Sequence, residues 1–428
     1  MFTIESSVLP PRIRYLFIPP AQAVVVVLEV GKRPRTADSV DREFMPVVNG
    51  RADAYPSAGK AADNLGRGSS LFVHARPLAK ILATQTLNLA YKAGLYRILS
   101  ALYGGRGVIF SLHRVIEADQ QAFNPHQKIR ADVLDEILGT VRRLGWEIVS
   151  IDEVHRRLTV QKDQGRRNDL EHGRFACFTF DDGYVDNLRL ALPLFRKHQA
   201  PMCLFAATGL VERELFYWWG ANEDLVLRSE RIELPATGDS GPRVLWARDS
   251  SEKVLAYRAL DELCHRSGAA LFPTLRQLYY QVGINPLDNL DRDALTPSQV
   301  REMASDPLVT IGSHSVTHER LSPMTEEAVR FEMQESRRKL ENWSGTNIRH
   351  FAYPFGRSDA CGAREFAIAK QSGFKTAVTT RQGNIFAEHS NYLECLPRRS
   401  IPISQFGLRN VLFGVQTVVQ NDCRFQTN

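Results

Sequence analysis

The chain has 428 residues, which is long enough for a large hydrophobic core and about two structural units. With 43% hydrophobic and 24% charged residues, its composition is that of a globular protein and excludes a fibrous or wholly disordered chain. Residues 1–100 hold 13 of the 54 basic residues and 7 of the 48 acidic residues, which leaves 41 of each in the remainder. The net charge of +6 therefore belongs to the N-terminal region, and we expect no nucleic-acid partner.

Cysteine usage and hydropathy limit the cellular compartment. The six cysteines are scattered without a Cys-x-x-Cys pair, and Cys177 and Cys203 lie in apolar segments where a buried free thiol is usual. The first 30 residues lack the basic start, continuous apolar segment and cleavage site of a secretory signal. No segment reaches the roughly 18 apolar residues that a membrane span needs. We expect a cytoplasmic or membrane-peripheral protein.

The N-terminal part of the chain changes character at about residue 75. Residues 1–75 have no sustained hydrophobic period, which predicts a mostly disordered extension; an overlong translated start would have the same composition. Residues 76–104 are predicted to form a helical lead-in with apolar and basic positions interleaved. This pattern favours packing against the next domain, and weak contact with a membrane surface through residues 78–103 is the alternative.

Residues 105–402 alternate strand and helix patterns, which predicts a parallel sheet with right-handed crossovers. Strands are expected at Val108–Leu112, Glu147–Val149, Cys177–Phe180, Met202–Ala206, from Val309 onward, His350–Tyr353, Lys375–Val378 and Leu396–Arg398. Helices are expected at Asp132–Leu144, Leu188–Lys197, Met324–Trp343 and Ala363–Gln371. The pattern suits a βα barrel whose strand ends converge on one site, followed by a tail over residues 403–428.

Two adjacent carboxylates follow the strand Cys177–Phe180. Neighbouring residues at a strand end point to opposite faces, so one of Asp181 and Asp182 can reach an ion while the other reaches the substrate. Carboxylates this close raise each other's pKa unless a cation lies between them. A helix-capping turn without metal is the alternative that Asp181-Asp182-Gly183 alone leaves open.

The alternation of strands and helices stops between residues 212 and 293. This segment is predicted to be a mostly helical insertion with Tyr217-Trp218-Trp219 near its start. Insertions after barrel strands lie on the face where substrate binds. Trp218 and Trp219 can either stack on sugar rings there or form the core of the insertion.

Two histidines four residues apart follow the strand that begins at Val309. On a helical turn, His314 and His318 would lie on one side, where both imidazoles can bind one metal ion. Together with a carboxylate from another strand end they supply two nitrogens and one oxygen, and positions remain open for water. That ligand count is typical of a catalytic rather than a structural site.

The chain resembles a known family in both motifs. Thr179-Phe180-Asp181-Asp182-Gly183 and His314-Ser315-Val316-Thr317-His318 are similar, in this order, to the first two motifs of polysaccharide deacetylases of carbohydrate esterase family 4, the NodB-homology domain. The resemblance covers about residues 105–402 and implies a distorted, incomplete (β/α) barrel. It also implies metal-dependent removal of acetyl groups from N-acetylhexosamine units, as in chitooligosaccharides. Carried over from the family, Asp181 would be the general base, and Asp182, His314 and His318 would hold the metal.

The third motif of the family resembles Tyr353-Pro354-Phe355-Gly356, and here the chain begins to depart from the family. The resemblance implies that the Phe355 amide stabilises the oxyanion and that Tyr353 and Pro354 contact the substrate. Many members carry an Arg two residues before this proline, where it orients the catalytic Asp, but this chain has Ala352. We expect Arg398 or Arg399, at the end of a late strand, to replace it, with a plain structural role as the alternative.

The general acid of the family has no counterpart by motif. A late Leu-x-His motif supplies it in the family, and no His follows His389 in this chain. We expect His113, at the end of the first strand and so on the catalytic face of a barrel, to be the acid. A structural histidine bonded to a loop carbonyl is the alternative.

The expected cofactor is one divalent metal ion, and the expected partner is an acetylated glycan. Two nitrogens and one carboxylate suit Zn, Co, Ni, Mn or Fe, and Zn is the ion that we expect. Hydrolysis of a C–N bond in a small-molecule amide and glycan binding without catalysis are the alternative functions. The sequence gives no prediction of the oligomeric state.

Overall fold

The computed structural model describes residues 14–16, 25–27, 100, 103–119, 127–164, 173–234 and 241–414. Within residues 1–73, strands β1 (Arg14–Leu16) and β2 (Val25–Val27) pair antiparallel. The rest of the predicted extension 1–75, nearly all of the lead-in 76–104 with its membrane-contact segment, and residues 415–428 lie outside the described residues. Those predictions therefore remain predictions.

Residues 74–428 form a second unit, whose elements follow in chain order. Its strands are β3 (Gly107–Leu112), β4 (Arg114–Ile116), β5 (Lys128–Arg130), β6 (Glu147–Ile148), β7 (Phe175–Phe180), β8 (Met202–Ala206), β9 (Arg231–Leu234), β10 (Arg243–Trp246), β11 (Val309–Ser313), β12 (His350–Ala352), β13 (Thr376–Gln382) and β14 (Leu396–Ser400). Its helices are α1 (Ala131–Arg143), α2 (Ile151–Gln164), α3 (Leu192–Lys197), α4 (Thr208–Val211), α5 (Trp218–Arg228), α6 (Ser250–Ser267), α7 (Phe272–Gln281), α8 (Pro286–Asp293), α9 (Pro297–Ala304), α10 (Glu326–Ser344), α11 (Ala363–Gln371) and α12 (Gln405–Leu412).

Seven parallel strands close into a barrel in which the order around the ring is the order along the chain. The ring runs β3, β7, β8, β11, β12, β13 and β14, and β14 pairs with β3 to close it. The short strand β6 pairs with the start of β7 outside this ring. The predicted (β/α) barrel is therefore confirmed, with seven strands. Parallel pairing brings the C-terminal ends of all seven strands to one mouth.

The barrel strands are buried on both faces, which explains their continuous apolar sequences. All six residues of β7 are buried; Phe175 and Cys177 point into the barrel, while Phe178 packs outward under the helices. The interior is tight at Gly312 of β11, where an added Cβ would lie 2.4 Å from the Phe205 ring. Among the described residues, no helix combines the length and hydrophobicity needed to span a bilayer.

Residues 212–293 form the predicted insertion, with its own hydrophobic core. Helices α5 to α8 make up most of it, and strands β9 and β10 add an antiparallel hairpin that the sequence did not predict. The insertion is tied to the barrel by Arg114 after β3, whose guanidinium contacts Asp186 at 2.8 Å and Asp293 of α8 at 3.0 Å. This ion-paired contact holds the insertion beside the mouth of the barrel.

Candidate metal centre and active site

Asp181 and Asp182 lie where the chain leaves β7 at the mouth of the barrel. The Asp181 amide donates to the Leu112 carbonyl at 2.9 Å, which keeps this residue in line with the strand. Asp182 has a φ of 76°, in the left-handed region that few non-glycine residues adopt, and Gly183 follows with a φ of 103°. The turn directs the two carboxylates to different partners. Backbone strain of this kind is concentrated at functional sites.

Asp182, His314 and His318 form a candidate metal centre. The Asp182 Oδ1 atom lies 3.4 Å from His314 Nε2 and 3.1 Å from His318 Nε2, and the three ligand atoms fall within 4.8 Å of one another. Two ligands at about 2.0–2.1 Å from a tetrahedral ion are about 3.3–3.4 Å apart, so this spacing fits a zinc-sized cation. Within the described residues, the buried Oδ1 accepts no hydrogen bond of normal geometry, as expected for an oxygen that faces a cation.

The surroundings of Asp182 and His314 suit both side chains to bind a metal ion. Burial alone would raise the pKa of Asp182, but the interaction with His318 and His314 holds that pKa well below its ordinary value, so the carboxylate is ionised. His314 Nδ1 lies 2.7 Å from the Ala352 carbonyl. Because a carbonyl only accepts, Nδ1 carries the proton of the neutral ring, and Nε2 presents its lone pair to the site.

The loop between the two histidines is not the helical turn that the spacing predicted. Ser315 and His318 have φ values of 66° and 54°, which no right-handed helical turn allows. The loop is instead held by the buried carboxylate of Glu332 on α10, which accepts hydrogen bonds from the Val316 amide at 2.8 Å and the Thr317 amide at 2.9 Å. Both imidazoles still reach Asp182 Oδ1, although the backbone between them is not helical.

Arg398 is the arginine that reaches Asp181. Its Nη1 and Nη2 each donate to one Asp181 oxygen at 2.7 Å, and both side chains are almost fully buried. Arg398 also donates to Thr179 Oγ1 and to the Thr379 carbonyl, each at 2.9 Å. Burial alone would raise the pKa of Asp181, but the charge and the hydrogen bonds of Arg398 hold the pKa below its ordinary value. Arg399 is also fully buried, and it points to Asn384 instead.

Residues 170–377 match the polysaccharide deacetylase family model. This matched segment, which contains barrel strands β7, β8, β11 and β12, is similar in sequence to polysaccharide deacetylases. Similar solved structures include the deacetylase PplD of Streptococcus pyogenes in complex with acetate, at 19% identity over 69% of this chain and 92% of that chain with a TM-score of 0.41. IcaB from Ammonifex degensii has 16% identity over 73% and 98% with a TM-score of 0.45. A de-N-acetylase from Aggregatibacter actinomycetemcomitans has 14% identity over 72% and 99% with a TM-score of 0.42. No curated protein matches the chain.

His113 lies on the Asp181 side of the barrel. It follows β3, and its Nε2 atom is 4.0 Å from Asp181 Oδ2. A quarter of its side chain is exposed. Its buried Nδ1 has no hydrogen-bond partner within the described chain, so no loop carbonyl there holds the ring as the structural alternative requires.

Phe355 lies beside the candidate metal centre, next to His318. It has a φ of 60°, and its ring centroid is 5.2 Å from that of His318. The Phe355 carbonyl accepts a hydrogen bond from Thr380, and no acceptor for the Phe355 amide is found in the described part of the chain. An unpaired amide at this position is suited to bind an oxyanion.

The four residues predicted to contact the substrate are mostly inside the protein. Trp218 and Trp219 are 8% and 9% exposed and belong to the core of the insertion, which was the alternative to sugar stacking. Tyr353 is fully buried, and its hydroxyl donates to the Glu394 carbonyl at 2.8 Å. Pro354 is buried as well. Because these rings expose little surface, the core interpretation fits Trp218 and Trp219 better, and Tyr353 offers substrate no free hydroxyl.

Two residues near the site were missed by sequence reasoning. Glu332 has a sequence signal, because it is an ionisable residue on the buried face of α10 between Val329 and Ser336. His265 of α6 has no such signal: its ring lies 5.1 Å from the Phe355 ring and 5.4 Å from that of Trp218, contacts that depend on how the insertion folds over the barrel.

Proposed function

We propose that the protein is a divalent-metal-dependent deacetylase that removes acetyl groups from N-acetylhexosamine units of a polysaccharide or oligosaccharide. The observation that carries the proposal is the convergence of Asp182, His314 and His318 within 4.8 Å, next to a separate carboxylate, Asp181, held by Arg398. A glycan-binding protein without catalysis would need the metal trio at most. It would have no need of a second, buried carboxylate with its own guanidinium.

Each residue has a chemical role in this proposal. When bound to Asp182, His314 and His318, a divalent ion would polarise the acetyl carbonyl and make a nearby water more acidic. Asp181 accepts a proton from the attacking water, whose oxygen forms a bond to the carbonyl carbon. Arg398 keeps the Asp181 carboxylate ionised and fixed in direction, so that it is ready to accept this proton.

Collapse of the tetrahedral intermediate requires two further groups. The Phe355 amide donates a hydrogen bond to the oxyanion, an interaction whose loss typically costs about 3 kcal/mol of transition-state stabilisation. Protonated His113 donates a proton to the leaving nitrogen as the C–N bond breaks, which yields acetate and an amine. The position of His113 Nε2, 4.0 Å from Asp181 Oδ2, supports this role, because it places the donor beside the base.

The test is acetate release from acetylated chitooligosaccharides by the full-length protein, before and after chelation and after addition of Zn or Co. We expect release that chelation abolishes and metal restores. The Asp181→Asn variant should bind metal as the unaltered protein does and release no acetate. Release that persists in Asp181→Asn would contradict the assignment of the base. Metal binding without release from any acetylated glycan would favour a small-amide hydrolase or a binding protein.

A further inference from the structure

The two histidines of the metal centre are held in different ways. His314 donates from Nδ1 to the Ala352 carbonyl, whereas Nδ1 of His318 is buried and has no hydrogen-bond partner among the described residues. Histidines that bind metal usually donate their second N–H to a partner, because this bond fixes the orientation and tautomer of the ring. The orientation of His318 must therefore depend on other contacts.

Aromatic rings provide those contacts. The His318 ring centroid lies 5.1 Å from that of Trp219, with the rings tilted by 43°, and 5.2 Å from that of Phe355, with a tilt of 50°. Trp219 belongs to α5 of the insertion, and Phe355 to the loop after β12. Only 10% of the His318 side chain is exposed. The imidazole is therefore packed between aromatic rings from two separate segments.

Trp219 is held firmly enough to position a neighbour. Its Nε1 donates to the Tyr184 hydroxyl at 2.7 Å, and its ring meets that of Trp218 edge-on at 5.4 Å. Tyr184 comes directly after the Asp181-Asp182-Gly183 turn, and the Arg114 guanidinium lies 4.8 Å from its ring centroid. Trp219 thus joins the turn that carries one metal ligand to the ring of another.

We infer that Trp219 is a positioning residue of the metal centre, through which the insertion orients His318 in place of a hydrogen bond to Nδ1. The inference rests on the metal centre proposed above. It makes the insertion a determinant of metal affinity, although none of its residues belongs to the ligand set. Trp218 is the matched control, because it is equally buried in the same helix and contacts Trp219 but has no ring contact with His318.

The experiment measures the affinity of the metal-free, full-length protein for Zn by competition with a chromophoric chelator, without any activity assay. Trp219→Leu should weaken Zn affinity by about 10–100-fold, the usual effect of losing a group that orients a metal ligand. Trp219→Phe keeps an aromatic ring and should lose less. Trp218→Leu should retain the affinity of the unaltered protein. The absorption spectrum of the Co-loaded protein should change in Trp219→Leu and stay the same in Trp218→Leu.

Each outcome bears on the inference. Equal affinities of Trp219→Leu and the unaltered protein, or an equal loss in Trp218→Leu, would overturn it and leave the metal centre standing. No Zn binding by the unaltered protein would overturn both. If Trp219→Leu does not fold, Phe355→Leu removes the other ring contact from a half-buried position. A loss of Zn affinity in that variant, with an intermediate loss in Trp219→Phe, supports the inference, and no loss in either overturns it.

Discussion

Replacing Arg398 with Met is expected to inactivate the enzyme and destabilise the barrel together. Arg398 is fully buried and donates four hydrogen bonds, two of them to Asp181. Met is of similar length but carries no charge, so the variant leaves the Asp181 carboxylate buried without its main partner. The pKa of Asp181 should then rise, because burial raises it and the opposing charge is gone. A protonated Asp181 cannot accept the proton of the attacking water.

The expected losses of stability and of kcat in Arg398→Met follow from typical values. Removing one partner of a buried ion pair typically costs about 3–5 kcal/mol. At about 2 °C per kcal/mol for a large domain, the thermal midpoint should fall by at least about 6 °C. Loss of a positioned general base should lower kcat by about 10²–10⁴-fold. Thermal unfolding and acetate release measured on the same preparation give the two values.

Two further variants separate the causes. Arg399→Met removes a neighbouring, equally buried guanidinium that points to Asn384, so it should lose stability while kcat changes little. The double variant Arg398→Met/Asp181→Asn should be more stable than Arg398→Met and equally inactive, because it leaves no unpaired charge. Full activity in Arg398→Met, or no gain of stability in the double variant, would refute the reasoning.

Three further predictions concern other groups of the protein. His113→Ala should abolish deacetylation of an N-acetyl sugar but spare hydrolysis of a nitrophenyl acetate, because nitrophenolate leaves without a proton; equal losses on both substrates would contradict the role of general acid. Glu332→Ala leaves two loop amides unpaired and should weaken Zn affinity, with partial recovery in Glu332→Gln; unchanged affinity in Glu332→Ala would show that this anchor is not needed. Burial lowers the pKa of His389 to about 4, so between about pH 6.5 and pH 4 the unfolded chain binds the extra proton, and stability should fall by about 3 kcal/mol as the pH drops through that window. Urea unfolding at several pH values should show a flatter profile for His389→Asn, and an identical profile would exclude this histidine as the cause.

The strands and the two main motifs could be predicted because each depends on neighbouring residues. Met202–Ala206 and Ala363–Gln371 have the predicted bounds, since an apolar run between turn signals and a 3.6-residue period are local patterns. The hairpin of β9 and β10 was missed because its strands have four residues each and mix charged with apolar side chains. The helical turn at the histidines was wrong because the spacing of two ligands does not specify the backbone between them.

The choice between Arg398 and Arg399 shows where local patterns stop being informative. The first four residues of β14 are all buried, so burial gives no alternation from which to decide which arginine points into the barrel. The decision depends on the pairing of β14 with its neighbours, where Leu396, two residues before Arg398, faces the interior. The register of the strand decides which of its side chains point into the barrel, and this register is fixed only when the whole sheet has formed.

Closure of the barrel also explains how Arg398 on β14, the last strand of the ring, can bind Asp181 after β7, the second strand. Around the ring, β14 is two strands from β7 by way of β3, whereas β12, which carries Ala352, is three strands away by way of β8 and β11. Arg399 pairs with Phe110 of β3, and Phe110 pairs with Phe178 of β7. The backbone of Arg398 is therefore level with a residue of β7 that precedes Asp181 in the chain. The long side chain of Arg398 spans this distance and donates to Thr179 on the way. The guanidinium that contacts Asp181 can therefore come from β14 rather than β12, because the ring is closed.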